Sequence, residues 1–130
     1  MNADDLDTMV SAYAECALWS SINPLFDSAD DECELSECLD GDYDVDDIDA
    51  DSMAEFESDC RDFYQANADD LAAMDAGQAG HDFWLTRNGH GAGFWDRGGL
   101  GELGERLNDA AKVYGGVDLY PLADGSVTAS

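Results

Sequence analysis

Basic residues are nearly missing from this chain: lysine and arginine total 5, with Lys112 the single lysine, against 31 aspartates and glutamates. A formal charge of −26 repels phosphate backbones and anionic lipid, which excludes nucleic acid and membrane surfaces as partners on charge alone. Long apolar runs are lacking as well. No stretch approaches the roughly 20 residues that span a bilayer, and the start, Met1-Asn2-Ala3-Asp4-Asp5, has none of the cations of a secretory leader. Both absences predict a protein that stays in the cytoplasm, where the cysteines at 16, 33, 38 and 60 are reduced thiols. Histidine occurs only at 81 and 90. Neither a G-x-S-x-G nucleophile frame nor a phosphate-cradling G-x-x-x-x-G-K-[ST] loop is present.

What the chain does have is enough apolar residues, 45% with thirteen aromatics, to build one modest core, so residues 1–130 are read as a single domain. Its acids are segregated. Residues 1–80 hold 24 of the 31 and one base, Arg61, which makes an acidic helical half of 1–77 and a near-neutral half of 78–130. In the first half, Leu6, Met9, Val10, Tyr13, Cys16 and Ala17 recur at helical spacing and predict a helix from about Asp4 to Ser20, which Asn23-Pro24 ends. Residues Asp27–Ala50 read as a charged loop anchored by Cys33, Leu35, Leu39, Tyr43, Val45 and Ile48, with a helical turn around Asp31–Leu39. Ser52 and Glu55 have capping-box spacing. They would open a second helix whose stripe is Met53, Phe56, Cys60, Phe63, Asn67, Leu71 and Met74, stopped at Gly77 or broken at Ala68-Asp-Asp. Leu100, Leu103, Leu107, Ala110, Ala111 and Tyr114 predict a third helix closed by Gly115-Gly116. Val117–Leu122 and Ser126–Ala129 then read as strands around an Asp124-Gly125 turn.

Near the start of the second half lies His81-Asp82-Phe83-Trp84-Leu85-Thr86-Arg87-Asn88-Gly89-His90-Gly91-Ala92-Gly93-Phe94-Trp95-Asp96-Arg97-Gly98. Phe83 and Leu85 alternate with Trp84 and Thr86, Asn88-Gly89 is a tight-turn dipeptide, and Phe94 and Trp95 would return on a second strand. This predicts an aromatic β-hairpin. The fold class expected is therefore α+β: a small antiparallel sheet, hairpin plus C-terminal strands, packed against about three helices. The same eighteen residues resemble the signature of a family of small acidic proteins encoded by tailed bacteriophages and related viruses of archaea. Looser similarity extends to Cys16–Ser20 and to the Tyr114–Gly125 tail. The resemblance implies viral origin and expression inside an infected cell, and no particular reaction.

Four constellations bear on chemistry. The run Asp40–Asp51 looks like a calcium loop, but a frame starting at Asp42 puts Asp47 where glycine belongs and Met53 where glutamate belongs, and a frame starting at Asp40 puts Val45 at the glycine position. Cys33 and Cys38 have zinc-like spacing without a second pair. His81, Asp82, His90, Asp96, Arg87 and Arg97 could compose an acid–base or metal-dependent site. Against that, Trp84, Phe94 and Trp95 would simply pack a core or interface, with the two arginines paired to acids. No catalytic residue, metal or cofactor is assigned on this basis. The fourth constellation is an acidic face: Asp42, Asp44, Asp46, Asp47, Asp49 and Asp51 with Glu55, Asp59 and Asp62.

The leading expectation is thus a non-enzymatic viral accessory protein in the cytoplasm of the infected cell. Its acidic face would imitate the charge of DNA to occupy a basic surface, for instance on a host DNA-binding or defence protein. A virion or structural component whose acidity reflects halophilic or solubility adaptation is the alternative, and a metal-dependent enzyme using His81 and His90 comes last.

Overall fold

The structure, a computed structural model, describes residues 3–21, 38–72, 74–89, 94 and 102–129. Their order is α1 (Ala3–Ser20), two short 3-10 turns (Leu39–Gly41 and Val45–Asp47), α2 (Ala50–Ala66), α3 (Ala68–Leu71), α4 (Ala76–Arg87), α5 (Glu102–Lys112), β1 (Leu119–Pro121) and β2 (Val127–Ala129). The class is helical with a small antiparallel sheet, coarser than the expected hairpin-based sheet.

The largest correction concerns the expected hairpin. Its first arm, His81–Thr86, belongs to α4. Asp75 caps that helix by accepting a hydrogen bond from Gln78 N, and Asn88 closes it at φ −94°. A type I′ hairpin turn needs positive φ at both central residues and a type II′ turn at the first, which here would be Asn88. Here only Gly89 is positive, at 68°, and its N–H donates to Thr86 O at 3.1 Å as in a helix C-terminal cap. Asn-Gly serves both structures. Of the return arm only Phe94 is described, buried with its N–H directed to Thr86 Oγ1; His90, Trp95, Asp96 and Arg97 lie outside the described residues.

α4 misleads because it is covered on every side. Asp82 through Arg87 are six consecutive buried residues, so the helix has no polar face to impose a 3.6-residue rhythm. It packs chiefly on α1. Gly80 makes the approach possible: a β-carbon there would sit 2.1 Å from Met9 O. Around this crossing the rings interlock. Tyr13 meets Trp84 edge-on at 5.2 Å and Phe56 at 5.0 Å, Phe63 stacks on Phe83 at 4.1 Å, and Phe94 lies 5.7 Å from Phe63. The buried Trp84 indole donates to Ser20 Oγ at 2.7 Å.

α1 and α5 match their apolar stripes, with Met9, Tyr13, Cys16, Leu107 and Ala111 in the core. Leu100 lies outside the described residues. α2 starts earlier than expected. Asp49, not Ser52, is the N-cap, its carboxylate accepting from Ser52 N at 2.8 Å. Ser52 is buried in the first turn, where its hydroxyl accepts from Ala129 N at 3.0 Å. Tertiary contact therefore claimed the hydroxyl and left the cap to the aspartate. The long helix does break after Ala66, where Asn67 turns its amide onto Phe63 O. Gly77 is not its stop but the second residue of α4.

β1 and β2 pair antiparallel with Tyr120 opposite Thr128, joined by a turn in which Gly125 has φ 90°. Ile48 bridges β2 in parallel, and Asp49 N donates to Val127 O at 2.8 Å. Leu39 and Ile48, both buried, pin the acidic segment 38–49 to the core. The anchors Cys33 and Leu35, and most of the helical turn expected at Asp31–Leu39, lie outside the described residues.

Candidate functional site: an acidic cleft with an exposed tryptophan

The 81–89 stretch is mainly architectural. Arg87 leaves the last turn of α4 with its side chain only 5% exposed. Nε donates to Gly115 O at 2.8 Å and Nη2 to Tyr114 O at 3.0 Å. Nη1 donates to the Tyr13 hydroxyl and to the Asp59 carboxylate, each at 2.8 Å. The guanidinium also lies over the Phe83 and Tyr114 rings. Burial opposes its charge, yet Tyr13 and Asp59 together hold its pKa above the ordinary value. Asn88 adds another tie: its Oδ1 accepts from Val117 N at 2.7 Å, and its Nδ2 donates to Trp84 O. One arginine and one asparagine thus join α1, α2 and α4 to the chain leading into β1.

His81 and Asp82 adjoin this hub. The Asp82 carboxylate is fully buried, accepts from Gln78 Nε2 at 2.9 Å and lies 3.6 Å from His81 Nδ1. Burial first, then the Asp82 charge, push the nearby Cys16 thiol up to about 12. Burial likewise raises Cys60, with Asp59 adding to it. Both thiols pack as small apolar groups rather than nucleophiles. Among the described residues no three His, Cys, Asp or Glu side chains converge as metal ligands. His90 and Cys33 lie outside the described residues.

The acidic face divides by task. Asp59 leaves it, because its carboxylate is committed to Arg87. Asp49 caps α2. Asp44 and Asp47 cap the second 3-10 turn reciprocally, Asp44 Oδ1 accepting from Asp46 N and Asp47 Oδ2 from Asp44 N, both at 2.9 Å. These internal bonds hold the carboxylates of Asp44, Asp47 and Asp49 in defined places. Asp42, Asp46, Asp51, Glu55 and Asp62 are exposed.

Where α1 passes the 3-10 turns, a cleft of roughly 500 Å³ opens, lined by Glu15, Leu18, Trp19, Asp40, Tyr43, Asp44, Val45 and Asp46. Trp19 is 55% exposed, an unusual outlay of apolar surface on so charged a protein. Its indole is braced by the His81 ring, 5.9 Å away. Tyr43 and Val45 are half-buried against the core. Of the cleft's carboxylates only Asp44 and Asp46 belong to the acidic face expected from sequence. Glu15, Asp40, Trp19 and Tyr43 are additions, and the one local clue was Trp19, which falls off the apolar stripe of its helix. No helix among the described residues is long and apolar enough to cross a membrane. Comparison with protein-family models, with curated proteins and with solved structures finds no match to this chain.

Proposed function

We propose that the protein is a non-enzymatic binder of basic protein surfaces, with the carboxylates of 40–51 and the outer face of α2 standing in for the charge of DNA. One observation carries this reading: the chain's described arginines are committed to acids elsewhere. Arg61 pairs with Glu57, Arg87 with Asp59 and Arg106 with Asp70. Among the described residues none of these arginines pairs with Glu15, Asp40, Asp44, Asp46 or Asp51, which leaves those carboxylates to meet a partner's cations. Acids held by turn hydrogen bonds are also better placed for complementarity than a loose chain. The viral resemblance of residues 81–98 makes a host DNA-binding or defence protein the fitting target, met in the cytoplasm of an infected cell.

The test is capture from host lysate at low and high salt, with wild type beside an Asp46→Asn/Asp51→Asn/Glu55→Gln/Asp62→Asn variant. Asp59 is left alone because its loss would damage the fold. A discrete basic protein retained by wild type, lost from the variant, released by salt and displaced by duplex DNA supports the reading. Empty lanes at both salts overturn it in favour of a structural or halophilic role, a reading favoured by the exposed acids that also cover α5, Glu102, Glu105 and Asp109.

A further inference from the structure

From the geometry of the Trp19 cleft we infer a specific occupant, an arginine side chain presented by an extended segment of the basic partner. The inference rests on the proposed binding of basic proteins and locates where selectivity arises. Charge alone attracts any cation, and the exposed indole adds a requirement. A planar guanidinium can lie on an aromatic face while its edge donates to carboxylates, whereas a lysine ammonium is a strongly hydrated point charge. The cleft has both parts: Trp19 and Tyr43 as aromatic surface, and Glu15, Asp40, Asp44 and Asp46 around it. Its roughly 500 Å³ lies within the range of cavities that enclose small ligands and accommodates a side chain with its neighbours.

Charge also selects among occupants. Residues 22–37 of this chain carry six acids and no base, and a second copy brings a charge of −26; the walls repel both. A foreign arginine meets carboxylates that the described arginines do not engage. The protein's own model for such an interaction is Arg87, which combines the Asp59 carboxylate with the Phe83 and Tyr114 rings.

The experiment is fluorescence anisotropy with a short labelled Gly/Ser peptide carrying Arg-Gly-Arg, and with matched lysine and citrulline peptides. Citrulline keeps the planar shape and removes the charge. Full-length wild type is compared with Trp19→Ala, with Asp40→Asn/Asp46→Asn, and with Glu105→Gln/Asp109→Asn, which removes equal charge from exposed positions of α5 outside the proposed binding face. The expected order is arginine over lysine over citrulline. Trp19→Ala and the Asp40/Asp46 variant should each weaken the arginine peptide about tenfold, as for a desolvated stacked cation at a hot spot, and the α5 variant less than about twofold. Equal loss from both double variants, or no preference for arginine over lysine, overturns the cleft as the selective site while leaving basic-surface binding intact. A Trp19→Ala protein that melts earlier but binds the peptide normally also overturns it, because the indole then serves the fold. Absence of binding to any basic peptide or protein removes both readings together.

Discussion

Arg87 shows how far one side chain can be committed in a protein with so few cations. Four hydrogen bonds and two ring contacts converge on a guanidinium that solvent barely reaches. Replacing it with methionine preserves the apolar stem but strands the Tyr13 hydroxyl, the Asp59 carboxylate and two carbonyls. The expected loss is about 3 kcal/mol or more, the cost of breaking a buried pair from one side. Urea unfolding checks it, and Asp59→Asn should then cost less in the Arg87→Met background than alone, since its partner is already gone. Equal costs in both backgrounds would mean that the pair is not coupled. From sequence, pairing of Arg87 with an acid was expected; which acid, and the two carbonyls, depended on contacts 27 and 28 residues apart.

At the scale of elements, α1 and α4 meet through Gly80. A methyl group at this position must displace the Met9 carbonyl, which belongs to helix backbone and cannot swing aside. Gly80→Ala is expected to destabilise by about 1–3 kcal/mol through overpacking despite alanine's better helix propensity. A thermal shift upward instead would mean that the crossing is looser than described. The N-terminus of α2 makes a different prediction, about pH. Hydrogen bonds from Ser52, Thr128 and the Ser52 backbone hold the Asp49 carboxyl below its ordinary range. A depressed carboxylate contributes stability above its unfolded pKa of about 4, and that contribution disappears as pH falls through the lower folded value. Asp49→Ala should therefore lower the melting temperature at pH 7, with the gap to wild type narrowing below about pH 4. A gap that stays constant into acid would show that the charged form carries none of the cap.

For the whole molecule the governing quantity is −26. Self-repulsion of this size opposes the compact state, and salt shortens its range from about 10 Å at 0.1 M to about 3 Å at 1 M. Melting temperature is accordingly expected to rise between these two conditions, measured by calorimetry in sodium chloride. A flat response would mean that the fold tolerates its charge without screening. Arg61–Glu57 and Arg106–Asp70 are exposed pairs whose small worth salt erodes, so a rise would come from the general field and not from them.

The sequence by itself determined everything that local rhythm and summed charge can carry. The stripes of α1, α2 and α5, the alternative of a break at Ala68-Asp-Asp, the glycine turn before β2 and the acidic character of the first half were legible because each depends on neighbours a few residues apart. α4 was not. A helix buried on all sides loses the polar face that reveals its period, and Phe83 to Thr86 then alternate as a strand would; only packing against α1, α2 and α5 decides between the two. The Asp49 cap and the fate of Asp59 were settled by β2 and Arg87 respectively. The Trp19 cleft is a product of tertiary structure for the same reason. Its walls come from α1 and from residues 40–46, segments brought together only when Leu39 and Ile48 bury their side chains in the common core.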